Sequence, residues 1–177
     1  MARTLVVYYS RTGVTRKAAA AIAEALGADL EELAERESRA GLLGYARSAM
    51  DVAFGRLPEI EPSRHRPEDY DLVVFGSPVW FASLSSPVRT YLVRYYDDLE
   101  EVAFFCTCAS SGGERVLRQM ADLCRKEPAA TLILRQTEIL RGSFHRKVGH
   151  FAVAVMKAVG EVREEENMDR PLSVTGG

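Results

Sequence analysis

The chain has 177 residues, 47% of them hydrophobic, which is enough to fill one substantial core and suggests a single domain. A formal net charge of −2 supplies no global field for nucleic acid or an anionic membrane, and the apolar runs are strand-sized, far short of the roughly 20 residues of a bilayer span. Three cysteines are an odd count in a chain too large to need staples, and Met1–Thr4 leads straight into an apolar run without a cleavage-site pattern. A cytoplasmic protein with reduced thiols is the expectation.

In chain order, Leu5–Tyr9 is a short continuous run of β-branched, aliphatic and aromatic residues, as in a strand buried on both faces. A polar turn spans Ser10–Thr15. Val14, Ala18, Ala21, Ile22 and Ala25 then recur at helical spacing, and Gly27 stands where that helix stops. Leu30–Ala34 is a weaker, more polar strand, suited to a sheet edge. Leu42, Leu43, Ala46, Ala49, Met50 and Ala53 form a helical stripe within 41–54, and Pro58–Glu68 reads as a surface loop.

Leu72–Gly76 is the clearest strand. Ser85-Ser86-Pro87 opens a helix, with serine available as cap and proline in the first turn. Val102–Cys106 is a strand, followed by a helix marked by Val116, Leu117, Met120, Ala121 and Cys124. Thr131–Leu134 is a strand that could continue toward Leu140. Val148, Phe151, Ala152, Val155, Met156 and Val159 form a last amphipathic helix. The pattern therefore predicts a domain over 1–160 and a charged, mobile tail over 161–177, where apolar residues are few.

Alternating strands and helices are the sequence form of an open parallel α/β sheet with helices on both faces. Ligands bind such sheets beyond the carboxyl ends of the strands, so the loops starting at Ser10, Ser77 and Thr107 matter most. In the first, Ser10, Arg11, Thr12, Gly13, Val14 and Thr15 put hydroxyls and a glycine at a helix start, where unpaired N–H groups and the helix dipole favour a phosphate. Taken alone, such a loop is equally a plain N-cap. The second, Ser77, Pro78, Val79, Trp80, Phe81, Ala82 and Ser83, carries the one tryptophan, a stacking face for a planar ligand or a cover for the sheet end. The third, Thr107, Cys108, Ala109, Ser110, Ser111, Gly112 and Gly113, offers small residues that let backbone approach a flat ring, or simply a glycine-rich turn.

Residues 10–15 follow the pattern Ser/Thr-x-Thr-Gly-x-Thr, and in this the chain resembles the flavodoxin family over roughly residues 4–160. The resemblance implies a flavodoxin-like three-layer sandwich with a five-stranded parallel sheet of order 2-1-3-4-5. It also implies one flavin mononucleotide (FMN), with Ser10, Thr12, Gly13 and Thr15 at the phosphate. The Trp80–Phe81 loop and the Thr107–Gly113 loop would then lie on the two sides of the ring. The function implied is electron transfer, or a small flavin-dependent reductase of quinones, flavins or a similar acceptor, using NAD(P)H. A redox partner protein or small-molecule acceptor would follow, with no nucleic acid or membrane partner, and a homodimer stays open. The alternative is a flavodoxin-like scaffold without flavin, acting as an interaction domain. Dedicated flavodoxin shuttles are usually strongly acidic, whereas this chain is near neutral. They also flip a glycine-containing peptide beside the flavin. No glycine follows Trp80 before the next helix, which implies electrons taken mainly in pairs.

Other signals are weaker. Cys108 and Arg115 are separated by six residues, one more than a tyrosine-phosphatase loop requires. Cys106 and Cys108 lack a second cysteine pair for a metal, and structural thiols are the simpler reading. His65, His145 and His150 stand in charged or helical contexts, and neither G-x-G-x-x-G nor a P-loop occurs. The first strand ends Tyr8-Tyr9-Ser10, without the acidic residues with which response regulators hold Mg²⁺.

Overall fold

The computed structural model describes residues 2–35 and 57–168. The elements are β1 (Thr4–Tyr8), α1 (Val14–Leu26), β2 (Asp29–Glu32), β3 (Leu72–Trp80), β4 (Ser83–Leu84), α2 (Ser86–Tyr95), β5 (Glu101–Cys108), α3 (Gly113–Cys124), β6 (Thr131–Arg135), α4 (Gln136–Arg141) and α5 (His145–Met168). The helix expected over 41–54 lies outside the described residues.

The sheet order is β2-β1-β3-β5-β6, with every neighbouring pair on this path parallel. Counting only these five strands, this is the expected 2-1-3-4-5. The short β4 pairs antiparallel with the end of β3.

Alternation along each strand sends side chains to opposite faces and so builds two cores. Leu5, Val7, Val73, Phe75, Val102 and Phe104 pack with Val88, Tyr91 and Leu92 of α2 and Val116, Leu117 and Met120 of α3. Val6, Tyr8, Val74, Ala103, Phe105 and Leu134 pack with Ala18, Ala19, Ile22 and Ala23 of α1 and Val148, Phe151 and Val155 of α5. Small alanines on α1 let that helix sit close to the sheet. Its buried stripe is Ala18, Ala19, Ile22 and Ala23, so Ala25, expected inside, is exposed. At Gly76 the sheet has no room for a side chain, because an added Cβ would lie 2.0 Å from Phe105 Cζ.

Several expectations change. β6 stops at Arg135 and α4 begins at once, so no strand continues toward Leu140. The Glu138 carboxylate accepts the Arg135 N–H at 2.8 Å, capping the new helix in place of further strand pairing. α5 runs to Met168, past the edge placed at 160. No glycine or proline interrupts the sequence between Gly160 and Pro171, and Lys157 pairs with Glu161 at 3.6 Å one turn on. Ser85 stands at the N-cap of α2 in extended conformation but makes no side-chain cap. Its hydroxyl lies 2.9 Å from Ser77 Oγ instead, tying the helix start to β3.

The loop after β3 is shorter than expected. Ser77–Trp80 continues the strand, and only Phe81 and Ala82 form the turn to β4. Both have positive φ, 49° and 54°, as a two-residue hairpin of the primed type I requires. The left-handed backbone is thus adopted without glycine, and the argument for paired electrons from a missing glycine loses its premise. The strand twist and the Trp80–Ser83 pairing impose the conformation.

Among the described residues, no helix is long and apolar enough to cross a membrane.

Candidate functional site

The carboxyl ends of β1, β3 and β5 open on a cleft of about 320 Å³, within the range of small-ligand sites. Arg11, Thr12, Val14 and Thr15 line it from the first loop, Pro78, Val79 and Trp80 from the second, and Thr107, Cys108 and Ala109 from the third. Gln136 joins them from the start of α4. That residue escaped sequence reasoning because β6 was extended past its true end. The signal was present, since Gln136 also follows directly on a strand terminus.

The first loop turns into α1 through Gly13, whose φ of 85° suits a residue without Cβ. The Gly13 carbonyl accepts the Lys17 N–H at 3.1 Å, so the first helical turn is formed and its leading N–H groups face outward. Thr15 is only 2% exposed, and its Oγ1 lies 2.8 Å from Thr107 Oγ1 near the carboxyl end of β5. Ser10 departs from the group: its Oγ accepts the Arg16 N–H at 3.2 Å, and it borders a separate polar hollow beside Glu31 and Glu32. Arg16 forks onto Glu32 at 2.9 and 2.7 Å, fixing the start of α1 against β2. Tyr8 donates to the same carboxylate at 3.1 Å. Burial first, then the Glu32 charge, pushes the Tyr8 phenol up to about 12.

Trp80 is half-buried, held edge-on by Tyr9 at 5.7 Å between ring centroids, while the Arg11 guanidinium lies over its ring at 5.8 Å. Tyr9 is thus a supporting residue that spacing alone did not reveal. Phe81 is 65% exposed at the hairpin tip and does not line the cleft. Ala82 does not line it either. It packs against Gly112, where an added Cβ would meet Ala82 Cα at 2.9 Å and Val79 Cγ1 at 3.1 Å. Gly113 is likewise closed in by Ile133 and by Cys106 Sγ at 3.1 Å. The faces left open by these two glycines, expected to admit a flat ligand, are filled by protein, because the helix and hairpin must approach closely there. Ser110 is exposed beyond the cleft.

All three cysteines are free and buried. Burial drives the Cys106 thiol up to about 12 and raises those of Cys108 and Cys124, so all three stay neutral thiols, and of them Cys108 lines the cleft. His65 is less isolated than its context implied. Its Nδ1 lies 2.7 Å from the Tyr70 hydroxyl, which donates to Asp29, and its Nε2 lies 3.8 Å from buried Glu31. His145 stacks on Phe144 at 4.3 Å, and His150 is exposed.

The donor set suits a ligand with an anionic end and a flat body. Hydroxyls and a helix N-terminus stand at one end of the cleft, and an indole with small apolar side chains stands at the other.

The chain is similar to several solved flavoproteins. A flavoprotein from Lactobacillus acidophilus, solved in complex with FMN, is 27% identical and superposes with a TM-score of 0.66, covering 81% of this chain and 99% of that one. The apo form of the flavoprotein from that organism, solved by NMR, is also 27% identical, with a TM-score of 0.60 over 76% of this chain and 92% of the other. A flavoprotein from Bacteroides eggerthii, at 21% identity and a TM-score of 0.61 over 81% of this chain and 96% of the other, shares the fold. No curated protein matches the chain. The family model for flavodoxin matches residues 3–151, spanning the whole sheet and every loop of the cleft, and the chain belongs to the flavodoxin family.

Proposed function

We propose that the chain binds FMN in this cleft and moves electrons through it, as a carrier or as a small reductase of quinones, flavins or similar acceptors. The observation that carries the reading is the convergence of three strand ends on one cleft that joins a hydroxyl-lined helix start to a half-buried tryptophan. Thr12, Thr15 and the first-turn N–H groups of α1 hold the phosphate, where the helix dipole favours negative charge. Gly13 shapes that turn. Trp80, braced by Tyr9, supplies one face for the ring, and the Arg11 guanidinium now over the indole shifts to admit it. Pro78, Val79, Thr107, Cys108 and Ala109 close the remaining walls and limit water, while Gln136 offers an amide to the polar edge of the ligand. The flavin supplies the redox chemistry, and the protein controls its binding, exposure and electrostatics. A redox partner or a small-molecule acceptor then meets the ring at the open mouth of the cleft.

The test is spectroscopic. Purified protein shows flavin absorbance, or takes up added FMN with a change in flavin fluorescence. NADH, NADPH and a panel of quinones, titrated anaerobically, then identify donor and acceptor. Colourless protein that fails to bind FMN favours the scaffold reading instead.

A further inference from the structure

We propose that Thr107 is a positioning residue for the anionic end of the ligand, acting through Thr15 rather than by touching the phosphate itself. The inference rests on the FMN reading and assigns to a β5 residue part of a task that the loop motif places wholly on residues 10–15.

The two hydroxyls lie 2.8 Å apart in a buried contact between residues 92 positions apart in the chain. Thr15 is 2% exposed and Thr107 5% exposed, so water does not readily replace either partner. Each hydroxyl carries one proton and two acceptor lone pairs. Their contact uses one of the two protons, and its direction decides what Thr15 presents to the cleft. If Thr15 donates to Thr107, its proton is consumed and its remaining lone pairs would oppose a phosphate oxygen. If Thr107 donates, the Thr15 proton is free for the anion. The second arrangement also polarises the Thr15 O–H, because hydrogen bonds in series reinforce one another.

The geometry explains why the third loop matters to phosphate affinity without entering the Ser/Thr-x-Thr-Gly-x-Thr pattern. Thr107 is placed by sheet register, opposite Pro78 on β3 and Leu134 on β6, and is therefore rigid. It holds the one side chain of the cradle that is fully inside the protein, whereas Thr12 is exposed.

A double-mutant cycle with two ligands tests this. Thr107→Val keeps the side-chain shape and removes the hydroxyl, and Thr15→Val does the same on α1. FMN and riboflavin affinities are measured for wild type, both single variants, the double variant and Thr107→Ser, with melting temperatures to verify folding. Thr107→Val is expected to weaken FMN about three- to tenfold, the scale of one hydrogen bond, and to weaken riboflavin distinctly less. Thr107→Ser restores the FMN value. In the Thr15→Val background, adding Thr107→Val changes the FMN-to-riboflavin ratio no further. The inference is overturned if FMN and riboflavin weaken equally, if Thr107→Val has no effect, if serine fails to restore the ratio, or if the two losses add in full. Wild type that binds neither flavin overturns the FMN reading and this inference together. Wild type that binds FMN with a flat cycle overturns the inference alone.

Discussion

Gly112 and Gly27 form a natural matched pair, because both adopt left-handed backbone, with φ of 91° and 61°, but only Gly112 faces other protein atoms. At Gly27 an added Cβ meets nothing within 4 Å. Gly27→Ala should therefore cost only the left-handed strain, about 1–2 kcal/mol. At Gly112 the same Cβ would lie 2.9 Å from Ala82 Cα and 3.1 Å from Val79 Cγ1. The first of these atoms is backbone in a turn already held at positive φ, so it cannot yield by a rotamer change. Overpacking adds about 1–3 kcal/mol, which separates the two variants by roughly 2–12 °C in melting temperature for a domain of this size. Relief of the clash moves the Phe81–Ala82 hairpin and with it Val79, a wall of the cleft. Gly112→Ala should thus lose FMN affinity as well as stability, whereas Gly27→Ala should lose stability alone. Thermal unfolding and FMN titration of the two variants side by side provide the assay. Equal melting temperatures with unchanged FMN binding would refute the claim that the second and third loops are locked together at Gly112.

Three further predictions rest on separate observations. Thr12→Ala should weaken FMN about tenfold, since charge-assisted hydrogen bonds contribute roughly 1.5–3 kcal/mol each, and riboflavin should bind far worse than FMN; equal affinity of the wild type for the two would reduce residues 10–15 to a helix cap. Trp80 emission should be strongly quenched on FMN binding and recover when flavin is stripped, and identical emission in both states would place the indole away from the ring. Folding stability should fall as pH rises from about 9 toward 12, because burial raises the Cys106 thiol from 9.0 to about 12 and the Tyr8 and Tyr70 phenols from 10.0 to about 12. The sign follows from these groups binding their protons more tightly folded than unfolded. Replacing Cys106 by alanine should flatten part of that slope in melting temperature against pH, while flavin reduction and reoxidation persist in the Cys106→Ala, Cys108→Ser protein. An unchanged slope would locate the alkaline transition elsewhere.

The family, the sheet and most cleft residues were legible in the sequence because they depend on local pattern. Strands such as Leu72–Gly76 are buried on both faces and therefore uniformly apolar. The proposed phosphate loop is a contiguous stretch whose hydroxyls, glycine and helix start act over a few residues. Its chemistry is written in order along the chain. What the sequence could not separate was which residues of each loop face the cleft and which face protein. Gly112 and Gly113 have the composition of a ligand-approach turn, yet they serve the packing of α3 and the hairpin, because their neighbours are Ala82, Val79 and Ile133 from other elements. Phe81 and Ala82 carry no residue-level sign of positive φ, since the pairing of β3 with β4 imposes it. Gln136 enters the cleft only because β6 ends where Glu138 caps α4. The Thr15–Thr107 contact joins residues 92 positions apart, and no local pattern encodes it. Sequence alone determined the order of elements and the chemistry each loop could offer. Tertiary structure decided the direction each side chain faces, because burial and approach distances are set by elements remote in the chain.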